Sequence, residues 1–133
     1  MNSGVFYDYY TDDRPPRNLI RDWYSLQDDE VRAEFDGTLT LLEAMPDWTK
    51  TDIVKQLERT HIGLTEIVID LKRRRPFRHI RPVGIWHPPE RVFILLMGCE
   101  KSGRIYIPAN AFDEALKHKA RIEAGRGAIS EHI

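Results

Sequence analysis

The stretch Arg91-Val92-Phe93-Ile94-Leu95-Leu96-Met97-Gly98 is the most apolar part of this chain of 133 residues. Its apolar residues are continuous and do not alternate with polar ones, which is typical of a strand covered on both faces. Two strand-like segments precede it, 64–71 and 77–86. In the first, Glu66 and Asp70 fall on one face with Val68 between them, and Ile67, Ile69 and Leu71 fall on the other. Short turns join the three segments, so the sequence predicts an antiparallel meander, with Pro82 marking an edge or a bulge.

The segments outside this meander complete an α+β prediction. Residues 5–10 are aromatic and β-branched, which indicates a first strand. Apolar residues at helical spacing predict helices over 17–26 and from Asp28 or Asp29 to Pro46, which form a helical hairpin. A last helix is predicted over about 109–123. We therefore expect one domain over 1–133, with an N-terminal strand, a helical hairpin, a three-stranded antiparallel meander and a C-terminal helix. The tail 124–133 is expected to fray.

Bulk composition favours a globular cytoplasmic protein. The single cysteine, Cys99, cannot form an internal disulfide, and no apolar run reaches the roughly 20 residues of a membrane span. The first residues lack the basic and apolar regions of a signal peptide. The net charge is −1, but residues 1–60 hold 7 basic and 13 acidic residues, whereas residues 61–133 hold 13 basic and 8 acidic ones. This asymmetry predicts a basic working face on the second half, although the acids would equally solvate N-terminal helices.

A basic run begins in the turn between the first two strands of the predicted meander and continues into the second of them. Residues 72–81 read Lys-Arg-Arg-Arg-Pro-Phe-Arg-His-Ile-Arg and contain no acid. Cations at this density repel one another, so a fold keeps them where they are solvated or where an anion binds. Held on a sheet, they point to a polyphosphate partner, above all a nucleic acid.

Several short matches, spread over nearly the whole chain, resemble the RelE/ParE superfamily of toxins from type II toxin–antitoxin modules, in its phage-derived HigB-like branch. The matching pieces are Leu57 with Gly63-Leu64-Thr65-Glu66-Ile67, Phe77-Arg78-His79-Ile80, the run from Phe93 to Lys101, and Pro108 with Ala115 and Arg121. The resemblance implies a RelE-like fold and a toxin that cuts mRNA on the ribosome without a metal or other cofactor. It also implies a cognate antitoxin, encoded adjacently, as a partner. Three positions depart from the family pattern: Val68, Cys99 and Ser102.

The candidate catalytic residues are Arg78, His79, Lys101 and Tyr106. In such cleavage the ribose 2′-OH attacks the adjacent phosphate, which requires a base, cations that stabilise charge on phosphorus, and an acid for the leaving 5′-oxygen. Arg78 offers phosphate a bidentate guanidinium, unless it pairs with Glu66 or Asp70. Histidine is the usual general base or acid in such reactions, so His79 is a candidate for that role, although a structural histidine is the alternative. Lys101 is either a phosphate contact or a plain turn lysine, and Tyr106 either stacks or assists proton transfer, or only packs.

Further cations are predicted to gather RNA. They are Lys72, Arg73, Arg74 and Arg75 in the turn, with Arg81 on the following strand; solvation alone would also explain the turn residues. Strand alternation places Arg78 on the face opposite to His79 and Arg81, so they reach one site only if the strand bulges.

The sequence offers no other chemistry. The histidines lack zinc-site spacing with Cys99, whose thiol is expected to be buried and inert, and there is no Gly-rich phosphate loop. We therefore expect no metal and no small-molecule cofactor, and no membrane partner. The departures from the family pattern keep an alternative open: a non-enzymatic ParE-like inhibitor of DNA gyrase, or an inactive nucleic-acid-binding relative of phage origin.

Overall fold

The computed structural model describes residues 5–58, 61–73 and 75–133. Ten strands form a six-stranded and a four-stranded sheet, accompanied by three helices. The helices are α1 (Leu19–Ser25), α2 (Asp29–Ala44) and α3 (Ala111–Glu123). The strands are β1 (Phe6–Tyr10), β2 (Val54–Gln56), β3 (Thr65–Ile67), β4 (Ile69–Leu71), β5 (Arg78–Ile80), β6 (Val83–His87), β7 (Val92–Met97), β8 (Glu100–Ser102), β9 (Ile105–Ile107) and β10 (Ala128–Glu131). Within the described ranges, no helix combines the length and the apolar character needed to cross a bilayer.

The predicted small α+β fold of RelE type, with one three-stranded meander, is wrong. Two of the three predicted meander strands, 64–71 and 77–86, are each divided between two sheets, in the orders β10-β1-β7-β6-β3-β2 and β4-β5-β8-β9. The chain passes from the first sheet to the second at Val68, returns to the first at Pro82, and enters the second again at Gly98. Pro82 has no N–H to donate to a ladder, and a bulge follows it between Val83 and Gly84. The sequence indicates the irregularity at Pro82, as the predicted edge or bulge, but strand propensity continues through Val68, so the pattern does not reveal the change of sheet there.

Strand β7 lies in the middle of the six-stranded sheet and is buried on both faces, as its continuous apolar run predicts. Phe93 and Leu95 pack with apolar residues of α1 and α2. Ile94 and Leu96 pack on the opposite face with residues of α3. The core therefore has two layers, and helices cover both sides of the sheet.

The three helices lie where the apolar periodicity predicts them. Asn18 caps α1 by accepting a hydrogen bond from the Arg21 N–H at 3.0 Å. Asp28 caps α2 by accepting from the Val31 N–H at 2.9 Å. The predicted apolar stripe of α2 is buried from Val31 to Leu42. Side-chain caps at α1 and α2 and the apolar spacing of all three helices act over a few residues, so local sequence is sufficient to place these elements.

The C-terminal tail does not fray, contrary to the prediction for 124–133. Strand β10 pairs antiparallel with β1, from Tyr7 opposite Glu131 to Tyr10 opposite Ala128. The buried Asp8 carboxylate lies 2.7 Å from the His132 ring nitrogen Nδ1. It also accepts a hydrogen bond from the Asn18 amide at 2.8 Å. The tail is therefore held by a partner at the other end of the chain, which a local sequence pattern cannot show.

Candidate functional site

Four polar side chains form a row across the four-stranded sheet. Asp70 on β4 lies directly opposite His79 on β5, His79 is opposite Lys101 on β8, and Lys101 is opposite Tyr106 on β9. Directly opposite residues point to the same face with their Cβ atoms roughly 4.5–5.5 Å apart. The register thus brings together three of the four predicted catalytic residues, His79, Lys101 and Tyr106. We call these four side chains the polar row.

One end of the polar row is a hydrogen-bonded group around Asp70. Its Oδ1 atom lies 2.8 Å from His79 Nδ1 and 2.8 Å from Arg81 Nη1. Partial burial acts to raise the pKa of Asp70, but the hydrogen bonds from His79 and Arg81 prevail and hold that pKa below its usual value. A histidine that donates from Nδ1 to this carboxylate presents Nε2 as the atom able to take a proton. The His79 side chain is 37% exposed, so a substrate can reach it.

The other end of the polar row is Tyr106, with Lys101 beside it. The Lys101 ammonium nitrogen lies 5.6 Å from the centre of the Tyr106 ring, within cation–π range. The Tyr106 ring packs against Phe112 of α3 at 4.4 Å between centroids. Burial, followed by the negative charge of Glu66, raises the pKa of Tyr106. The Tyr106 phenol therefore keeps its proton at neutral pH and gives it up only to a strong base, such as a departing alkoxide oxygen.

Glu66 is a buried carboxyl beside the polar row that the sequence suggested only as an ion-pair partner. It is 4% exposed, and its Oε2 atom has no hydrogen-bond partner among the described residues. Burial raises the pKa of Glu66, while the charges of Arg81, Lys55 and Lys101 act in the opposite direction. The signal for both Glu66 and Asp70 was their shared face on one strand-like segment. The basic run 72–81 follows this segment in the sequence, so two acids beside it indicate a site of mixed charge.

Arg78 lies on the other face of the four-stranded sheet, as alternation predicts, and is not part of the polar row. Its Nη2 and Nε atoms donate to the two Glu100 carboxylate oxygens at 2.8 and 3.1 Å. Its Nη1 atom donates to Asp28, the cap of α2, at 3.2 Å. The Glu100 hydrogen bond is the main reason that the pKa of Arg78 is raised. The partners differ from those weighed in the sequence, Glu66 and Asp70, but the guanidinium is occupied by carboxylates.

The residues predicted to gather RNA are separated by the structure. Lys72, Arg73 and Arg75 are exposed in the turn between β4 and β5, at one end of the polar row's sheet. Arg74 lies outside the described residues. Arg81 is 8% exposed and bonds Asp70 and the Ile80 carbonyl, so it positions the row and does not offer a free surface charge.

The remaining candidates do not add a second reactive centre. The Cys99 thiol is buried and donates to the Arg81 carbonyl at 3.0 Å. Burial raises the pKa of Cys99 to about 12, which makes it a poor nucleophile, as the sequence indicated. In the part of the chain that the structure describes, no three His, Cys, Asp or Glu side chains are grouped as metal ligands would be.

Comparison with known proteins adds no relative. No protein family matches the chain, and neither a curated protein nor a solved structure is significantly similar to it. The resemblance to RelE/ParE toxins therefore stays a prediction from short sequence matches. The polar row is the structural observation that bears on function.

Proposed function

We propose that this protein is a metal-independent endoribonuclease and the toxin of a type II toxin–antitoxin module, cleaving mRNA at the polar row. The observation that carries the proposal is the alignment of His79, Lys101 and Tyr106 by the strand register. A base, a cation and an acid in line are what attack by a 2′-OH on a neighbouring phosphate requires. The toxin assignment and the mRNA–ribosome substrate come from the sequence resemblance.

His79 acts as the base in this scheme. Asp70 holds the imidazole through Nδ1, at 2.8 Å, so that Nε2 takes the proton of the 2′-OH. The oxygen freed of its proton then forms a bond to phosphorus. Arg81 shares the same Asp70 oxygen, which fixes the carboxylate and so the plane of the histidine.

Lys101 and Tyr106 complete the step. Lys101 lies between the other two, where its charge stabilises the extra negative charge on the phosphoryl oxygens. Tyr106 donates its phenolic proton to the leaving 5′-oxygen as the bond from phosphorus to that oxygen breaks. The products are a 2′,3′-cyclic phosphate and a 5′-hydroxyl. Neighbouring strands are roughly 4.8 Å apart, so base and acid flank the phosphate from strands separated by about 10 Å.

The test is cleavage of end-labelled single-stranded RNA with EDTA present, and of ribosome-bound mRNA in the Mg²⁺ buffer that keeps ribosomes assembled. We expect products with cyclic phosphate ends, and a rate roughly 100-fold lower for His79→Gln and Lys101→Met. Matched controls are His87→Gln and Lys50→Met, which alter exposed residues outside the polar row. Expression without the antitoxin should also arrest growth. Absence of cleavage on both substrates, or full activity of His79→Gln, would refute the proposal.

A second candidate function is the non-enzymatic one, as a gyrase inhibitor or a nucleic-acid-binding relative. The observation in its favour is that Arg78, the arginine of the family-like strand, is held by Glu100 and Asp28. A supercoiling assay with DNA gyrase beside the RNA assay separates the two. Salt-sensitive nucleic-acid binding without cleavage would support the binding relative.

A further inference from the structure

A groove adjoins the polar row and shares Tyr106 with it. It has a volume of about 430 Å³, which is within the range of small-molecule sites, roughly 300–1,000 Å³. Its walls come from the β8–β9 hairpin, from the start of α3 and from His61. Tyr106 belongs to both the groove and the polar row. A polymeric ligand whose phosphate lies on the polar row therefore has its neighbouring groups at the mouth of this groove.

The groove has an aromatic wall and an exposed apolar residue. The Phe112 ring lies between His61 and Tyr106, with centroid distances of 5.1 and 4.4 Å. Ile105, on the edge strand β9, also lines the groove and is 64% exposed. A planar apolar ligand would cover this surface and remove the Ile105 side chain from water.

Charged groups stand around that apolar surface. Arg104 is exposed at the turn before β9 and lines the groove. The Asp113 carboxylate lines it too, with 73% of its side chain exposed, and lies 3.5 Å from His61 Nε2. Guanidinium groups stack on bases and bind phosphate, and a carboxylate accepts hydrogen bonds from the amino groups of bases.

We propose that this groove binds one unpaired nucleobase of single-stranded RNA, adjacent to the phosphate that lies on the polar row. The inference rests on the proposed function, since it takes RNA as the ligand. Single-stranded RNA is recognised by splayed bases that stack on aromatic and arginine planes, with hydrogen bonds to their edges. The groove combines aromatic, apolar and charged walls next to a candidate phosphate site, which is the arrangement that a nucleotide needs.

The probe is a fluorescent 2′-O-methyl RNA octamer, which cannot be cleaved because its 2′-OH groups are blocked. Its binding is measured by anisotropy while an abasic nucleotide is moved through each position. We expect one position at which loss of the base weakens binding about 5- to 100-fold, the range for one stacked base. Ile105→Ala and Arg104→Ala should weaken binding of the intact octamer and reduce that abasic effect.

The matched control is Ile107→Ala, which removes the same side chain from the same strand at 57% exposure but outside the groove. Arg14→Ala, in the turn after β1, is the control for Arg104. A flat abasic series, no binding of the octamer, or equal effects of Ile105→Ala and Ile107→Ala would overturn the inference. Because the probe cannot be cleaved, base-dependent binding without RNA cleavage would sink only the proposed activity. Cleavage without base-dependent binding would sink only the groove.

Discussion

Replacing Arg78 by alanine is expected to lower the stability of the protein and to leave RNA cleavage by the folded protein nearly unchanged. The guanidinium makes two charge-assisted hydrogen bonds to Glu100 and one to Asp28. Through them, β5 is tied to β8 and to the start of α2. The side chain points away from the polar row, so its removal takes no group from the proposed reaction.

The expected loss is about 1–1.5 kcal/mol. The bidentate pair with Glu100 has favourable geometry, but the Arg78 and Glu100 side chains are 36% and 31% exposed. Solvent screening therefore limits that pair to about 1 kcal/mol. The Asp28 carboxylate is 60% exposed, so its pair adds only a few tenths of a kcal/mol.

Urea unfolding followed by tryptophan fluorescence measures this loss, at low and at high salt. A double-mutant cycle with Glu100→Gln should return a coupling of about 1 kcal/mol that decreases as salt is added. In the cleavage assay, Arg78→Ala should stay within about threefold of the wild-type rate per folded molecule.

The opposite pattern would refute this reasoning. Suppose that Arg78→Ala keeps full stability and that its cleavage rate falls roughly 100-fold or more. The Arg78 guanidinium would then have to leave Glu100 and Asp28 and bind the phosphate of the substrate. Arg78→Lys serves as the matched variant, because it keeps the charge but cannot form the bidentate pair.

Three further predictions concern groups whose surroundings only the folded chain supplies. Burial raises the pKa of Glu66, so the carboxyl favours the folded state below its unfolded pKa and loses that contribution as pH rises through the folded value. Glu66→Gln should therefore be more stable than wild type at pH 7, by about 1 kcal/mol, and no more stable at pH 4, as urea unfolding at the two pH values would show. A Cβ at Gly98 would overlap the Trp23 indole, so Gly98→Ala should lower the free energy of unfolding by about 1–3 kcal/mol. Gly37 lies inside α2 with open space around it, so the matched variant Gly37→Ala should raise that free energy by about 0.5–1 kcal/mol. Thermal unfolding measures both changes. Truncation after residue 127 removes β10 and the contact between His132 and Asp8, which should lower the free energy of unfolding by about 3 kcal/mol. An unchanged melting temperature would contradict this role of the tail.

The polar row shows how far alternation carries a prediction. A period of two was enough to separate Arg78 from His79. It could not show that His79 lies opposite both Asp70 and Lys101. Cross-strand neighbours depend on register, and register here depends on where the chain bends at Val68 and Pro82.

Local patterns were sufficient for the helices, for the doubly covered strand β7 and for the inert Cys99, because periodicity, capping and apolar runs act over a few residues. Long-range packing was needed for the division into two sheets, for the pairing of the tail with β1 and for the choice of Glu100 and Asp28 as partners of Arg78. The same packing buries Glu66 beside Arg81 and aligns the polar row. These arrangements join residues far apart in the chain, and the free energy that selects them comes from burial and pairing in the complete fold. The basic run at 72–81 therefore indicated a phosphate partner, whereas the geometry that favours RNA cleavage exists only after β4, β5, β8 and β9 are brought side by side.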